Sequence, residues 1–212
     1  MAMPVAVIDY GRGNIHSVTK ALSHIGYQTE LVSNPNLLLR FPSAIIPGVG
    51  AYSDAMSRLV STGMDEALIE YARTGRPLLG ICLGMQVLLS GGAEGGFSRG
   101  LDLIPGNVEP VFLDLPACDH LKLPHMGWNT VDFCRSSPVL TGVPSGTRFF
   151  FVHSYAALPE QSNHWLASTT YGRTFASAVQ KANVYGTQFH PEKSGPAGLS
   201  VLRNFVGLTG AC

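Results

Sequence analysis

An apolar run, Leu78-Leu-Gly-Ile81, stops at Cys82 and gives way to Leu83-Gly-Met-Gln86, with a glycine two residues to either side of the cysteine. This G-x-C-x-G pattern predicts a sharp strand-to-helix turn with the thiol at its apex, a nucleophile elbow. Gly80 and Gly84 stand where backbone must pass close to the neighbouring strand and helix, so a larger side chain at either is expected to collide. The backbone of Cys82 itself is expected to be strained. At a helix N-terminus the dipole and unpaired N–H groups favour a thiolate, and the Leu83 amide can bind an oxyanion. The helix is expected to continue to about Ser90. Taken alone, Cys82 could also be a small buried apolar residue at a strand end.

An elbow of this kind needs a sheet and helices around it, and the surrounding pattern supplies them. Val5 to Ile8 reads as a strand, the loop Asp9-Tyr-Gly-Arg-Gly-Asn14 follows, and residues 15–26 carry helical spacing at Ile15, Val18, Leu22 and Ile25. Residues 28–32, 44–46 and 78–81 read as further strands, and 52–61 and 64–74 as helices. That alternation predicts a parallel sheet covered on both faces. Beyond Gly91-Gly92 the chain becomes strand-rich, with candidates at 108–112, 129–133, 149–155, 166–171, 176–181 and 184–189, antiparallel in part, and a closing helix over 199–208. The expected class is α/β: an open, mostly parallel sheet flanked by helices, with additional antiparallel strands. No repeat, charge block or linker divides the chain, so residues 1–212 are expected to form a single domain.

Composition narrows the range of functions. With 45% hydrophobic residues in 212, a core can form without metals or disulfides. Fourteen basic side chains balance fourteen acidic ones, leaving no overall basic excess for a nucleic acid or an anionic membrane surface. The longest apolar run, 77–89, is too short to span a bilayer and is interrupted by Gly80, Cys82, Gly84 and Gln86. The opening residues lack the pattern of a secretory leader, and a cytoplasmic location with reduced cysteines is expected.

A cysteine nucleophile requires a base, and the base an orienting acceptor. Gly186-Thr-Gln-Phe-His-Pro-Glu192 offers both, because Pro191 enforces extended backbone at His190 and lets the His190 and Glu192 side chains share one side. The carboxylate would then fix the imidazole tautomer and stabilise its charged form. An isolated His-Pro-Glu could equally be a surface histidine beside a solvated glutamate. Pro47-Gly-Val-Gly50 ends a strand at the sheet edge where open α/β folds bind ligands, and could offer the Val49 amide as a second oxyanion donor, or be a plain turn. Cys118, His120, His125 and Cys134 match no common structural-zinc spacing. Gly11-Arg-Gly-Asn-Ile15 lacks the third glycine of a dinucleotide fingerprint. No metal and no cofactor is expected.

Gly80-Ile-Cys-Leu-Gly-Met-Gln86 together with Gln188-Phe-His-Pro-Glu192 resembles the class I, triad-type glutamine amidotransferases. Tyr10-Gly-Arg-Gly-Asn14, Pro47-Gly-Val-Gly50, Pro124-His-Met-Gly-Trp-Asn129, Phe150-Phe-Val-His-Ser-Tyr155 and Lys193-Ser194 are similar to the branch of that family that serves histidine biosynthesis. The resemblance runs from residue 8 to about 195. One departure is Arg12, where other members can have proline.

The resemblance implies a flavodoxin-like amidotransferase fold and hydrolysis of L-glutamine to glutamate and ammonia. Cys82, His190 and Glu192 would be the triad, and Val49 and Leu83 the oxyanion hole. Gly48, Gly50, Gln86, Ser154 and Tyr155 would bind substrate. It also implies a heterodimer with a (β/α)₈-barrel cyclase that takes the ammonia to make imidazole glycerol phosphate and an aminoimidazole carboxamide ribonucleotide. Asn14, Trp128 and Lys193 are candidates for the partner-facing side. Competing readings are a glutaminase for another synthase, a non-catalytic relative, and a cysteine hydrolase of other amides.

Overall fold

The computed structural model of the chain describes residues 3–11, 13–111 and 121–210. Its first half follows the predicted alternation. Strands β1 (Val5–Ile8), β2 (Thr29–Val32), β3 (Ala44–Gly48) and β4 (Leu78–Cys82) are interleaved with helices α1 (Ile15–His24), α2 (Tyr52–Thr62) and α3 (Met64–Arg73). They pair in parallel in the order β2-β1-β3-β4.

The fourth helix departs from expectation. Helix α4 spans only Leu83–Gln86; of the residues expected to prolong it to Ser90, Val87 and Leu88 form a turn, and Leu89 and Ser90 open β5 (Leu89–Gly92). Helical propensity in so short a stretch is a weak constraint. Here it yields to pairing of β5 on both sides, antiparallel to β6 (Ser98–Arg99) and parallel to β7 (Ile104–Pro110). The strand expected at 108–112 thus begins four residues earlier, and Phe112 lies outside the described residues.

The second half is strand-rich as expected: β8 (His125–Phe133), β9 (Thr147–His153), β10 (Tyr155–Pro159), β11 (Trp165–Tyr171), β12 (Arg173–Lys181) and β13 (Val184–Thr187), then helix α5 (Gly195–Gly207). The single strand expected over 149–155 breaks at Ser154, because β9 pairs with β8 whereas β10 inserts between β7 and β12. Strand β13 lies parallel to β4 and antiparallel to β12, and so joins the parallel half to the antiparallel half.

Alternation along each strand separates two cores. Ala6, Ile8, Ala44, Ile46 and Leu78 face one side, where Tyr52, Ala55, Leu59, Leu68 and Tyr71 of α2 and α3 cover them. Val5, Val7, Ile45, Leu79 and Ile81 face the other, under Val18 and Leu22 of α1 and Val201, Leu202 and Phe205 of α5. No described helix is long and apolar enough to cross a membrane. The carboxyl ends of β1, β3, β4 and β13 meet at one edge, and the segments that leave them carry most of the residues selected by sequence.

Candidate active site

The elbow is a place of close approach. Cys82 takes φ 57° and ψ −111°, a left-handed conformation rare for a side chain of any size. A β-carbon at Gly80 would lie 2.2 Å from the Gly84 carbonyl oxygen, and one at Gly84 would lie 1.8 Å from that of Ile46. Both close approaches expected from the sequence are therefore present: the absence of side chains lets α4 pack hard against β4 at Gly80 and against β3 at Gly84.

Gly48 belongs to this packing. It pairs with Cys82 across the sheet, a β-carbon there would meet the Gly84 nitrogen at 2.5 Å, and it does not line the cavity. Gly50, at φ 104°, does line it, and needs a backbone conformation that other residues rarely adopt. Tyr10 ties the first loop to this turn by donating its hydroxyl to the Pro47 carbonyl at 3.0 Å.

The cavity has a volume of about 290 Å³, at the lower edge of the range of small-ligand clefts. Cys82 and His190 reach it together with Val49, Leu83, Gln86, Ser154 and Tyr155. Leu83 begins α4, so its N–H has no acceptor within the helix. Beyond the expected residues, Glu94, Val152 and His153 also line the walls.

His190 leaves the carboxyl end of β13 beside β4, and the turn at Pro191–Lys193 returns Glu192 beneath it. The imidazole Nδ1 is 2.7 Å from Glu192 Oε1, and both side chains are almost wholly buried. Its Nε2 is buried with no hydrogen-bond partner. Burial pulls the His190 pKa down, but Cys82 and Glu192 outweigh it and raise it from 6.5 to about 9. The imidazole is thus biased toward its charged form between a thiol and a carboxylate.

Three further partners of these groups carry no signal that a local reading of the sequence used. Gln188, fully buried, points Nε2 at Cys82 Sγ at 3.7 Å and accepts from Gln86 Nε2 at Oε1 at 3.0 Å. The other Gln86 hydrogen goes to the Tyr155 carbonyl at 2.8 Å, which leaves the Gln86 oxygen as the group not engaged in these bonds. Period-two spacing from His190 could have flagged Gln188. Asn14 is less accessible to such reasoning: it lies 178 residues away and donates to Glu192 Oε1 at 3.4 Å. Glu94 accepts the N–H of Tyr52, the first residue of α2, at 2.7 Å, a cap drawn from 42 positions away.

Of the partner-facing candidates, Asn14 is thus directed inward. Trp128 is 48% exposed and meets Phe150 edge-on at 6.2 Å, and Lys193 Nζ lies 5.9 Å from the centre of the same ring. Met126, on the same side of β8, is 64% exposed, which makes this an apolar rim with a cation at its edge. Among the described residues no group of three or more His, Cys, Asp or Glu is placed to hold a metal ion. Arg12, Cys118, His120 and Cys212 lie outside the described residues.

The family model for glutamine amidotransferase class I matches residues 6–208. An imidazole glycerol phosphate synthase subunit HisH from Moorella thermoacetica is 49% identical over 202 residues, covering 95% of this chain and 93% of that protein. The chloroplastic imidazole glycerol phosphate synthase hisHF of Arabidopsis thaliana is 44% identical over 95% of this chain, which spans 34% of the longer plant polypeptide. Among solved structures, PurLQS from Thermotoga maritima superposes with a TM-score of 0.77 at 16% identity, covering 98% of this chain and 99% of that one. That last likeness bears on the fold alone.

Proposed function

The chain belongs to the class I glutamine amidotransferases, and on that premise we propose that it is the glutaminase subunit of an imidazole glycerol phosphate synthase. The observation that carries the catalytic part is the placement of Cys82 at a strained elbow, on a cavity shared with a His190 held at 2.7 Å by buried Glu192. The pathway rests on the 49% identity with the Moorella subunit across 95% of the chain.

In the mechanism this geometry supports, the Cys82 proton rests on His190 Nε2, and the Cys82 thiolate attacks the carboxamide carbon of glutamine. The carbonyl electron pair moves onto oxygen, facing the amides of Val49 and Leu83. The imidazolium returns the proton to the nitrogen as the C–N bond breaks, releasing ammonia and a glutamyl thioester. Water then attacks the thioester, giving one proton to His190. Collapse of that second tetrahedral species expels the Cys82 thiolate beside the imidazolium, and the new carboxyl group loses its proton to solvent as glutamate leaves. Glu192 holds the ring in one orientation and balances its charge throughout. Gln86, with its two donors already used, would offer its oxygen to the substrate's ammonium group.

Ammonia in water becomes mostly ammonium, which has no lone pair for attack, so the donor works best docked on its acceptor. The partner is a (β/α)₈-barrel cyclase that uses the ammonia to form imidazole glycerol phosphate and an aminoimidazole carboxamide ribonucleotide. The plant relative, about three times as long as the matched segment, supports a permanent pairing of two such functions. The exposed rim of Met126 and Trp128 beside Lys193 is where we place the contact.

The test is glutamate release from glutamine, with the chain alone and then with the cyclase and its ribonucleotide. A strong rise on addition that vanishes in Cys82→Ala is expected. A rate indifferent to the cyclase would overturn the pathway assignment, and the absence of any hydrolysis would overturn the catalytic one.

A further inference from the structure

The two motifs around His125 and His153 meet in a hydrogen-bond chain whose direction can be deduced from both ends. Pairing of β8 with β9 sets His125 opposite His153. Both are buried, at 3% and 6% exposure. His125 stacks on Phe151 at 4.9 Å and on Tyr171 at 4.0 Å, and His153 packs edge-on against Phe175 at 5.0 Å.

At the outer end the Asn129 carboxamide has a fixed orientation. Its Oδ1 accepts from the Thr130 N–H at 2.8 Å, and its Nδ2 donates to the Thr170 carbonyl at 3.2 Å. The same Nδ2 is 3.2 Å from His125 Nε2, which must therefore accept. In a neutral ring the proton then sits on Nδ1, 3.0 Å from His153 Nε2, which must accept in turn. That places the His153 proton on Nδ1, 2.8 Å from the Tyr155 carbonyl. A carbonyl can only accept, so the inner end demands the same direction as the outer one.

Tyr155 O is also the anchor of Gln86 Nε2 at 2.8 Å. We propose that Asn129, His125 and His153 form a one-directional chain, with both imidazoles neutral and protonated at Nδ1, that positions the Tyr155 carbonyl and through it Gln86 at the glutamine-binding wall. Burial agrees with neutral rings, holding His125 down to about 4 and His153 to about 3 against an ordinary 6.5. His153 faces the cavity with both nitrogens already engaged, so it is a positioning residue and not an acid or base.

The inference rests on the glutaminase reading, but its first test does not. Nitrogen-15 spectra of the histidine rings in the full resting chain at pH 7 should show hydrogen on Nδ1 and a bare Nε2 for both. A proton on Nε2 of either ring, or a cationic ring, would overturn the chain without touching the role of Cys82. The second test is kinetic, in the complex with the cyclase. His125→Phe keeps the stacking but leaves His153 Nε2 buried without a donor, and should raise the KM for glutamine about 10-fold while kcat changes less than about 2-fold. His125→Gln, whose amide can donate again, should recover much of the loss. A fall in kcat at unchanged KM, or no rescue by glutamine, would overturn the positioning role.

Discussion

Asn14 donates its carboxamide to the same oxygen of Glu192, Oε1, that receives His190 Nδ1. Glu192 is thus gripped from the first loop of the chain as well as from its own turn, while its Oε2 is buried with no hydrogen-bond partner. Removing Asn14 should loosen the imidazole without changing any group that touches substrate. Asn14→Ala is expected to lower kcat by about 10-fold, and Asn14→Asp, which sets a second carboxylate against Glu192, by more. Steady-state glutaminase assays of the complex check the order; equal losses would remove the electrostatic part of the argument.

Loss of the nucleophile is a different matter. Cys82→Ala should reduce glutamine turnover by roughly 10⁴-fold or more while the far-ultraviolet circular dichroism stays unchanged. Cys82 is 6% exposed, and its sulfur makes only the long contacts to the Val152 carbonyl at 3.8 Å and Gln188 Nε2 at 3.7 Å, so the fold should tolerate the change. Appreciable residual hydrolysis would assign the chemistry to another residue.

His190 titrates at about 9 when folded against 6.5 when unfolded. Because the folded pKa is raised, the stability it contributes is fully present below pH 6.5 and lost as pH rises through about 9. Glu192→Gln removes one cause of the raised value. It should lower the His190 pKa in an NMR titration and make stability less dependent on pH over that interval. An unmoved titration would show that Glu192 does not govern the imidazole charge.

His125 and His153 act in the opposite sense. Held near 4 and 3, they stay neutral in the fold while the unfolded chain protonates below about 6.5. Stability should therefore fall on acidification from pH 6.5 toward 4, by up to about 1.4 kcal/mol per pH unit for each histidine. Urea unfolding across this range in wild type and His125→Phe should show a shallower slope in the variant.

The elbow glycines can be compared with a harmless one. Gly84→Ala drives a β-carbon to 1.8 Å from the Ile46 carbonyl and should cost more than about 3 kcal/mol. Gly207, at the exposed end of α5 with nothing within 4 Å of its β-carbon position, should gain up to about 1 kcal/mol on substitution by alanine. Urea midpoints of the two variants decide whether contact or conformational entropy dominates at each site.

The sequence by itself determined the features whose causes are local. The glycine spacing about Cys82, the short continuous apolar runs of β1 and β4, helical spacing in α1, and Pro191 between His190 and Glu192 each act over a few residues. From them followed the elbow, the α/β class and the pairing of imidazole with carboxylate. Tertiary structure decided what depends on partners distant in the chain. Leu89–Gly92 became strand and not helix because β7 and β6 flank it. The strand through Ser154 broke because its two ends pair in different places. Gly48 packs on the elbow and does not reach the cavity. Asn14 reaches Glu192, and Asn129 sets the tautomers of two buried histidines, because strand register and helix packing bring them together. Hydrogen-bond direction in a buried site is fixed by which donors and acceptors face one another, and separation along the chain holds no record of that.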